Sequence, residues 1–106
     1  MTRKPLERHL QKTILRRLTL LAREDPTLVF RKRHGAPLGI NGDSDLYGCW
    51  EGIHFELELK RPGEAPTELQ KLRQGEWARA GAVVAVVHSV EEFEAFLYCI
   101  TPVRGV

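Results

Sequence analysis

The stretch from Ile53 to Val87 constrains the fold of this chain most, because it predicts a strand, a helix and a second strand in succession. The first strand, Ile53 to Lys60, alternates apolar and polar residues, whereas Ala82 to Val87 is a continuous apolar run typical of a buried strand. Between them, Thr67-Glu68-Leu69-Gln70 has the form of a helix capping box, and Gly81 suits a helix C-terminus. Such a crossover joins parallel strands, so this unit predicts an α/β fold.

The other predicted elements complete a single small domain that spans residues 1–106, a length suited to one hydrophobic core. Leucine and isoleucine residues at helical spacing predict an amphipathic helix over 5–23, and a short strand follows over 28–33. A glycine-rich loop precedes a strand over 45–50, which a Glu51-Gly52 turn connects to the next strand. A second capping box, Ser89-Val90-Glu91-Glu92, opens a helix to about residue 98. The predicted order is αβββαβα, with a mixed sheet flanked by helices.

Composition and patterning exclude several classes of protein. The longest purely apolar run, Ala82 to Val87, is far shorter than the roughly 20 residues that a membrane-spanning helix needs. The polar, basic N-terminus lacks the apolar segment of a secretory signal, which predicts a cytoplasmic protein. Cys49 and Cys99 are isolated and match no zinc-ligand spacing, so we expect buried, reduced thiols.

Positive charge is concentrated at the start of the chain. Residues 1–34 hold ten of the 16 Lys and Arg residues but only three of the 14 Asp and Glu residues. A basic segment beside an acidic remainder suits an enzyme that binds a polyanion and coordinates a metal, although a solvated helix face with a charged loop gives the same pattern. We predict phosphate contacts from Arg31, Lys32, Arg33 and Arg61. The alternative for the first three is a charged edge strand that resists aggregation.

Two carboxylates and one lysine carry the predicted chemistry. Glu56, Glu58 and Lys60 share one face of their strand and apolar residues line the other, because successive strand residues point to opposite sides. The hairpin brings Asp45 near Glu58. Hard cations such as Mg²⁺ prefer oxygen ligands, so these two carboxylates and a strand carbonyl, that of Leu59, predict an open metal site. Lys60 would orient a water molecule or neutralise charge on phosphorus, but a solvent-facing Glu58–Lys60 ion pair also explains the spacing.

Several separated features occur in a fixed order along the chain: Gly42, Ser44-Asp45-Leu46, Glu58-Leu59-Lys60, Gln70 and Gly81. With this spacing, the chain resembles the VRR-NUC branch of the PD-(D/E)xK nucleases. The resemblance implies a restriction-endonuclease-like core and a Mg²⁺- or Mn²⁺-dependent nuclease in which Asp45 and Glu58 bind metal and Lys60 assists the nucleophile. Ser44 replaces the usual proline, which changes turn stiffness but removes no ligand. Glu56 occupies a position where the family commonly has an apolar residue. Glu56 could therefore belong to the site or form an ion pair at the surface.

The resemblance also implies site roles for Glu7 and Gln70. Gln70 is the third residue after Thr67, so capping of the following helix is an alternative role. Glu7 lies in the first turn of its helix, where the helix dipole favours an acidic residue whatever its function.

Stand-alone domains of this family are often phage-encoded and resemble Holliday-junction resolvases. The resemblance therefore implies a homodimeric endonuclease that acts on branched DNA in a bacterial or phage-infected cell. Gly39, Gly42 and Gly48 fit neither phosphate-loop signature, so no nucleotide cofactor is expected. Two sites related by a two-fold axis would cut two strands. The alternatives are a catalytically inactive DNA-binding module with the same fold, and a nuclease that acts on linear DNA or RNA.

Overall fold

The computed structural model describes residues 5–33 and 39–100. Its elements, in chain order, are α1 (Pro5–Glu24), β1 (Leu28–Lys32), β2 (Leu46–Trp50), β3 (Ile53–Leu59), α2 (Glu68–Arg79), β4 (Val83–Val87) and α3 (Val90–Ile100). The predicted order αβββαβα is confirmed. Residues 34–38, which belong to the predicted glycine-rich loop, lie outside the described residues, as do 1–4 and 101–106. No helix in the described part of the chain is long and apolar enough to cross a membrane.

The four strands form one mixed sheet in the order β1-β2-β3-β4. The β1–β2 and β2–β3 pairs are antiparallel, and β3 pairs with β4 in parallel across the α2 crossover, as predicted. Glu51 and Gly52 form the predicted turn, both with positive φ (50° and 85°), as a tight hairpin with the strand twist requires. Because β3 is an inner strand, its side chains are held between neighbours on both sides.

The hydrophobic core lies between one face of the sheet and the helices α1 and α3. Leu10, Ile14 and Leu18 are buried along α1, which confirms the predicted apolar stripe. On the sheet side, the ring of Phe55 meets that of Phe96 edge-on, with 5.7 Å between the ring centroids. The helix α2 covers the opposite face of the sheet, and none of its residues is buried.

Gly48 permits close packing at the centre of this sheet. A Cβ atom at this position would lie 2.3 Å from the Val29 carbonyl oxygen and 2.6 Å from Cζ of Phe55. Phe55 is the cross-strand partner of Gly48, so its ring lies over the space that a side chain would fill. This glycine therefore marks a close approach of backbone and ring rather than a weak point in the strand.

The solvent-facing alternative for Glu58 and the predicted burial of β4 are both wrong. On β3, all of the residues from Phe55 to Leu59 are buried, because α2 covers the face that carries Glu56 and Glu58. This face is therefore not an open surface. The continuous apolar run predicts a buried strand, but β4 lies at the sheet edge with one strand neighbour, and only Val87 is fully buried.

The cysteines and the second capping box also differ from expectation. Both thiols are free, but Cys49 is half-buried and Cys99 is exposed on the outer side of α3, so the predicted burial is wrong. The Ser89 hydroxyl accepts a hydrogen bond from the Glu92 amide (3.1 Å), as a capping box requires. The Glu92 carboxylate instead accepts from the amide of His88 (2.8 Å), so the box is only half formed.

His88 connects the loop after β3 to the start of α3. Its Nε2 lies 2.8 Å from the Glu64 carbonyl oxygen, and its Nδ1 lies 2.9 Å from Oε1 of Glu92. Both partners are acceptors, so only the imidazolium, with two N–H groups, satisfies both at once. The hydrogen bond to Glu92, followed by that to the Glu64 carbonyl, raises the pKa of His88 above its ordinary value of 6.5.

We expect the stability of the protein to fall as the pH rises through the folded-state pKa of His88. A raised pKa means that the folded state favours the protonated form, so this contribution is fully present below 6.5 and is lost above the raised value. The hydrogen bond from His88 lowers the pKa of Glu92 below 4.5, so the pair weakens again as the pH falls through that lowered value. Urea midpoints measured at about pH 6 and about pH 9 should differ less in His88→Gln than in the wild type.

The control for this pH prediction is His9→Gln, which changes an exposed residue of α1. It should keep the wild-type difference between the two pH values. An unchanged pH difference in His88→Gln would contradict the assignment.

Candidate active site

The β2–β3 hairpin brings Asp45 beside Glu58. Leu46 pairs with Leu57, and continuing this antiparallel register by one residue places Asp45 opposite Glu58. The Asp45 carboxylate is fixed there, because its Oδ2 accepts a hydrogen bond of 2.8 Å from the amide of Leu59. The two predicted acidic ligands therefore lie side by side on the two arms of the hairpin, at one of its ends.

Glu58 and Lys60 form a sheltered ion pair on the face beneath α2. Nζ of Lys60 lies 3.7 Å from Oε2 of Glu58, and their side chains are only 14% and 4% exposed. The backbone of Lys60 is held by its amide, which donates to the Val87 carbonyl of β4 (3.0 Å). The alternative of a solvent-facing ion pair does not hold. Partial burial makes the attraction between these charges stronger than at an open surface.

Gln70 caps α2, as the spacing to Thr67 predicts, and it also contacts Glu58. Its backbone amide donates to the Thr67 hydroxyl (3.1 Å) and its Oε1 accepts from the Thr67 amide (2.9 Å), which completes the capping box at the start of α2. Its Nε2 donates to Oε2 of Glu58 at 3.0 Å. A single side chain thus fixes the start of the helix and orients the Glu58 carboxylate.

We expect Gln70→Glu to separate these two roles. Glutamate suits this position of a capping box, so the cap is retained, but the donor to Glu58 is replaced by a second carboxylate. Loss of such an orienting partner should lower the nuclease activity that the motif resemblance implies by about tenfold or more. Thr67→Ala is the matched variant, because it removes the cap at a cost of about 1 kcal/mol of stability and leaves cleavage unchanged. Cleavage that falls equally in both variants would contradict the dual role.

Glu56, whose role the sequence left open, is completely buried and paired. Its carboxylate accepts two hydrogen bonds from Arg33, one of them 2.9 Å from Nη2, and a third from Nε2 of His54. Burial acts to lower the pKa of Arg33, but the hydrogen bonds and the charge of Glu56 outweigh it and raise that pKa. The alternative of a surface ion pair does not hold, because the Glu56 carboxylate and the Arg33 guanidinium that pairs with it are both sheltered from solvent.

Sequence reasoning missed the cluster that Arg33, Glu56 and His54 form. Tyr47 and Trp77 also belong to it. The Arg33 guanidinium lies over both rings, 4.4 Å from the centroid of Tyr47 and 5.4 Å from that of Trp77. The one available signal was an acidic residue, Glu56, at a mid-strand position that the family commonly fills with an apolar side chain.

The remaining predicted site residues are spread over several elements. Arg31 and Lys32 are exposed on β1, an edge strand, so they suit the edge-protection role as well as phosphate contacts. Register places Arg31 on the face of Glu56 and Lys32 on the opposite face. Arg61 is half-exposed in the loop after β3, and Glu7 is half-buried in the first turn of α1, which packs on β3. Their roles stay predictions.

The chemistry of the donor set fits a hard divalent cation. Asp45 and Glu58 supply carboxylate oxygens, and the backbone of Leu59, which already binds Asp45, offers a carbonyl next to Glu58. Within residues 5–33 and 39–100, no group of three or more His, Cys, Asp or Glu side chains is arranged to hold a metal ion. A cation here would therefore depend on these two carboxylates, the carbonyl and water, as Mg²⁺ sites commonly do.

The fold and this site define a restriction-endonuclease-like α/β domain with two carboxylates, a lysine and a glutamine gathered where β2 and β3 meet α2. Comparison with solved structures gives a more specific result. A structure described as a VRR_NUC domain matches with a TM-score of 0.72 and 23% sequence identity, over 89% of this chain and 96% of that chain. The chain therefore has the VRR-NUC fold, which confirms the predicted architecture. No protein-family model and no curated protein matches the chain.

Proposed function

We propose that this protein is a divalent-metal-dependent nuclease that hydrolyses phosphodiester bonds in DNA. The observation that carries the proposal is the convergence of Asp45, Glu58, Lys60 and Gln70 at one end of the β2–β3 hairpin. The similarity in fold to a solved VRR_NUC domain supports the same activity.

In this proposal, Asp45, Glu58 and the Leu59 carbonyl hold Mg²⁺ or Mn²⁺, which supplies charge neutralisation at the phosphate and a water of lowered pKa. The side chains of the protein do the rest. Gln70 holds Glu58 in one orientation through its 3.0 Å hydrogen bond. Lys60, held on the same face, orients the attacking water or stabilises negative charge at phosphorus. The cover of α2 limits bulk water around Glu58 and strengthens these interactions.

We further propose that the substrate is branched DNA and that the active form is a homodimer. The motif resemblance supports both proposals, as it does a location in the cytoplasm of a bacterial or phage-infected cell. Arg31, Lys32 and Arg61 are the proposed phosphate contacts, since Arg33 is occupied by Glu56. Glu7 is the proposed additional site residue from α1. A monomeric mass in solution at assay concentrations would contradict the dimer.

The test is cleavage of a labelled four-way junction, beside a linear duplex of the same sequence, a single strand and an RNA. Each substrate is incubated with Mg²⁺, with Mn²⁺ and with chelator. Paired nicks in the junction that require metal are the expected result. Cleavage of linear DNA or RNA instead would replace the substrate class, and junction binding without any cleavage would favour the inactive DNA-binding module. The melting temperature should also rise in millimolar Mg²⁺, because the ion binds the folded state.

A further inference from the structure

The segment from Asp43 to Asp45 lies outside the helices and strands, yet it carries a predicted metal ligand. Arg33 contacts each of its residues. The Arg33 amide donates to the Asp45 carbonyl (2.9 Å), Nη1 donates to the Ser44 carbonyl (3.2 Å), and Nε lies 3.8 Å from Oδ2 of Asp43. Arg33 thus contacts the whole backbone path that leads to Asp45, through its side chain at Asp43 and Ser44 and through its amide at Asp45.

The other side of the same guanidinium is anchored in the sheet. Glu56 receives two hydrogen bonds from Arg33 and has no exposed surface, so it forms a fixed point on β3. Glu56 is two residues from Glu58 and therefore lies on the same face of the strand. Arg33 thus connects the Asp45 segment to the strand that carries the other predicted ligand.

Aromatic residues restrict the movement of this connection. Trp77 of α2 stacks on His54, with ring centroids 4.9 Å apart, and its Nε1 donates to Oδ1 of Asp43 (3.2 Å). A planar guanidinium that lies against aromatic rings and donates two parallel hydrogen bonds to one carboxylate has one favoured orientation. A lysine would not reproduce it.

Two carboxylates that are brought together to bind a cation repel each other before the cation arrives. A segment without regular secondary structure would relieve that repulsion by moving, unless other contacts hold it. An ion pair that served only to neutralise Glu56 would not need hydrogen bonds to the carbonyl of Ser44 and contact with Asp43. These contacts indicate that Arg33 also restrains the segment from Asp43 to Asp45.

We propose that Arg33, anchored by Glu56, is a positioning residue that holds Asp43 to Asp45 against β3 so that the Asp45 carboxylate is in place before a cation binds. Glu56 is then neither a ligand nor a surface charge but the anchor of this arrangement. The effect on metal affinity rests on the proposed function, whereas the position of Asp45 does not.

The first test uses Arg33→Lys, which keeps the positive charge but loses the bidentate hydrogen bonding to Glu56. The readout is hydrogen exchange of the Leu59 amide, whose acceptor is the Asp45 carboxylate. In the metal-free protein this amide should exchange about tenfold faster, relative to the other amides of β3, because its bond to a charged acceptor is weakened. Calorimetry with Mn²⁺ alone should show affinity lowered by about tenfold, as for other residues that orient ligands.

The matched control is Arg17→Lys. Arg17 forms a similar pair with Glu94 (2.9 Å) on the exposed surface of α1 and α3, away from the site. It should leave both the Leu59 exchange rate and the Mn²⁺ affinity at wild-type values. A change of the same size in this control would overturn the proposal, because it would show a general effect of losing an arginine.

A second variant keeps the test valid if Arg33→Lys fails to fold. Arg33→Met combined with Glu56→Met removes the pair without leaving a buried charge, and it should show the same faster exchange and weaker Mn²⁺ binding. Wild-type exchange of the Leu59 amide in both variants would overturn the positioning role, and so would unchanged Mn²⁺ affinity despite faster exchange. If the wild type binds no Mn²⁺ and cuts no substrate, the proposed function fails, while the exchange result still decides the role of Arg33.

Discussion

Lys60→Ala is expected to lower DNA cleavage by at least about 100-fold, the usual effect of removing one group that stabilises developing charge. The ammonium of Lys60 lies 3.7 Å from Glu58 on a face that α2 shelters from solvent. Water at such a site does not replace a fixed positive charge, so the loss is larger than at an open surface. The measurement is the single-turnover rate on the preferred substrate in Mg²⁺, with the melting temperature of the variant measured in parallel.

The control for Lys60 is Lys71→Ala. Lys71 also faces a glutamate, Glu68, at 3.8 Å, but this pair lies on the exposed side of α2. It should cleave at the wild-type rate, because an exposed ion pair contributes little. Lys60→Arg keeps the charge and should recover part of the activity if charge, rather than the orientation of water, is the main contribution. Full activity in Lys60→Ala would remove Lys60 from the proposed mechanism.

Arg33→Met is expected to lower the free energy of unfolding by about 3–5 kcal/mol, because it leaves the buried carboxylate of Glu56 without its cation. Glu56 has no exposed surface, and His54 would be its remaining described partner. The double variant Arg33→Met/Glu56→Met should recover most of the loss, since apolar side chains can replace a buried ion pair at little cost. Urea unfolding of Arg33→Met, of Glu56→Met and of the double variant gives the coupling between the two residues.

The matched comparison for stability is Arg17→Met. Arg17 and Glu94 are each more than two-fifths exposed, at 44% and 43% of their side-chain surface, so this change should cost less than about 1 kcal/mol. If Arg33→Met costs no more than Arg17→Met, the Glu56 carboxylate does not depend on Arg33, and its burial must be relieved by other groups.

The order of elements was predictable because each element has a local signal. The apolar stripe of α1, the alternation along β3 and the capping box at Thr67 each depend on residues within a few positions of one another. The pairing of Asp45 with Glu58 followed from the short turn between β2 and β3, which fixes the register of a hairpin. Local signals therefore define the fold and the centre of the candidate site.

What the sequence did not predict depends on contacts between distant segments. Arg33 and Glu56 are 23 positions apart, and no periodicity connects a residue after β1 to the middle of β3. The exposure of β4 depends on its place at the edge of the sheet, which its apolar composition does not reveal. The second role of Gln70 required the position of Glu58 beneath α2, whereas its capping role needed only the spacing to Thr67.

The absence of buried residues in α2 has a consequence for heat resistance. This helix contacts the sheet through the hydrogen bond from Gln70 to Glu58 and the stacking of Trp77 on His54, while the apolar core lies on the other side with α1 and α3. Elements with few buried apolar contacts open at a lower free energy than the core. We therefore expect the proposed nuclease activity to be lost on warming before the core melts, so that the temperature range of this activity is limited by one helix without buried residues rather than by the stability of the whole domain.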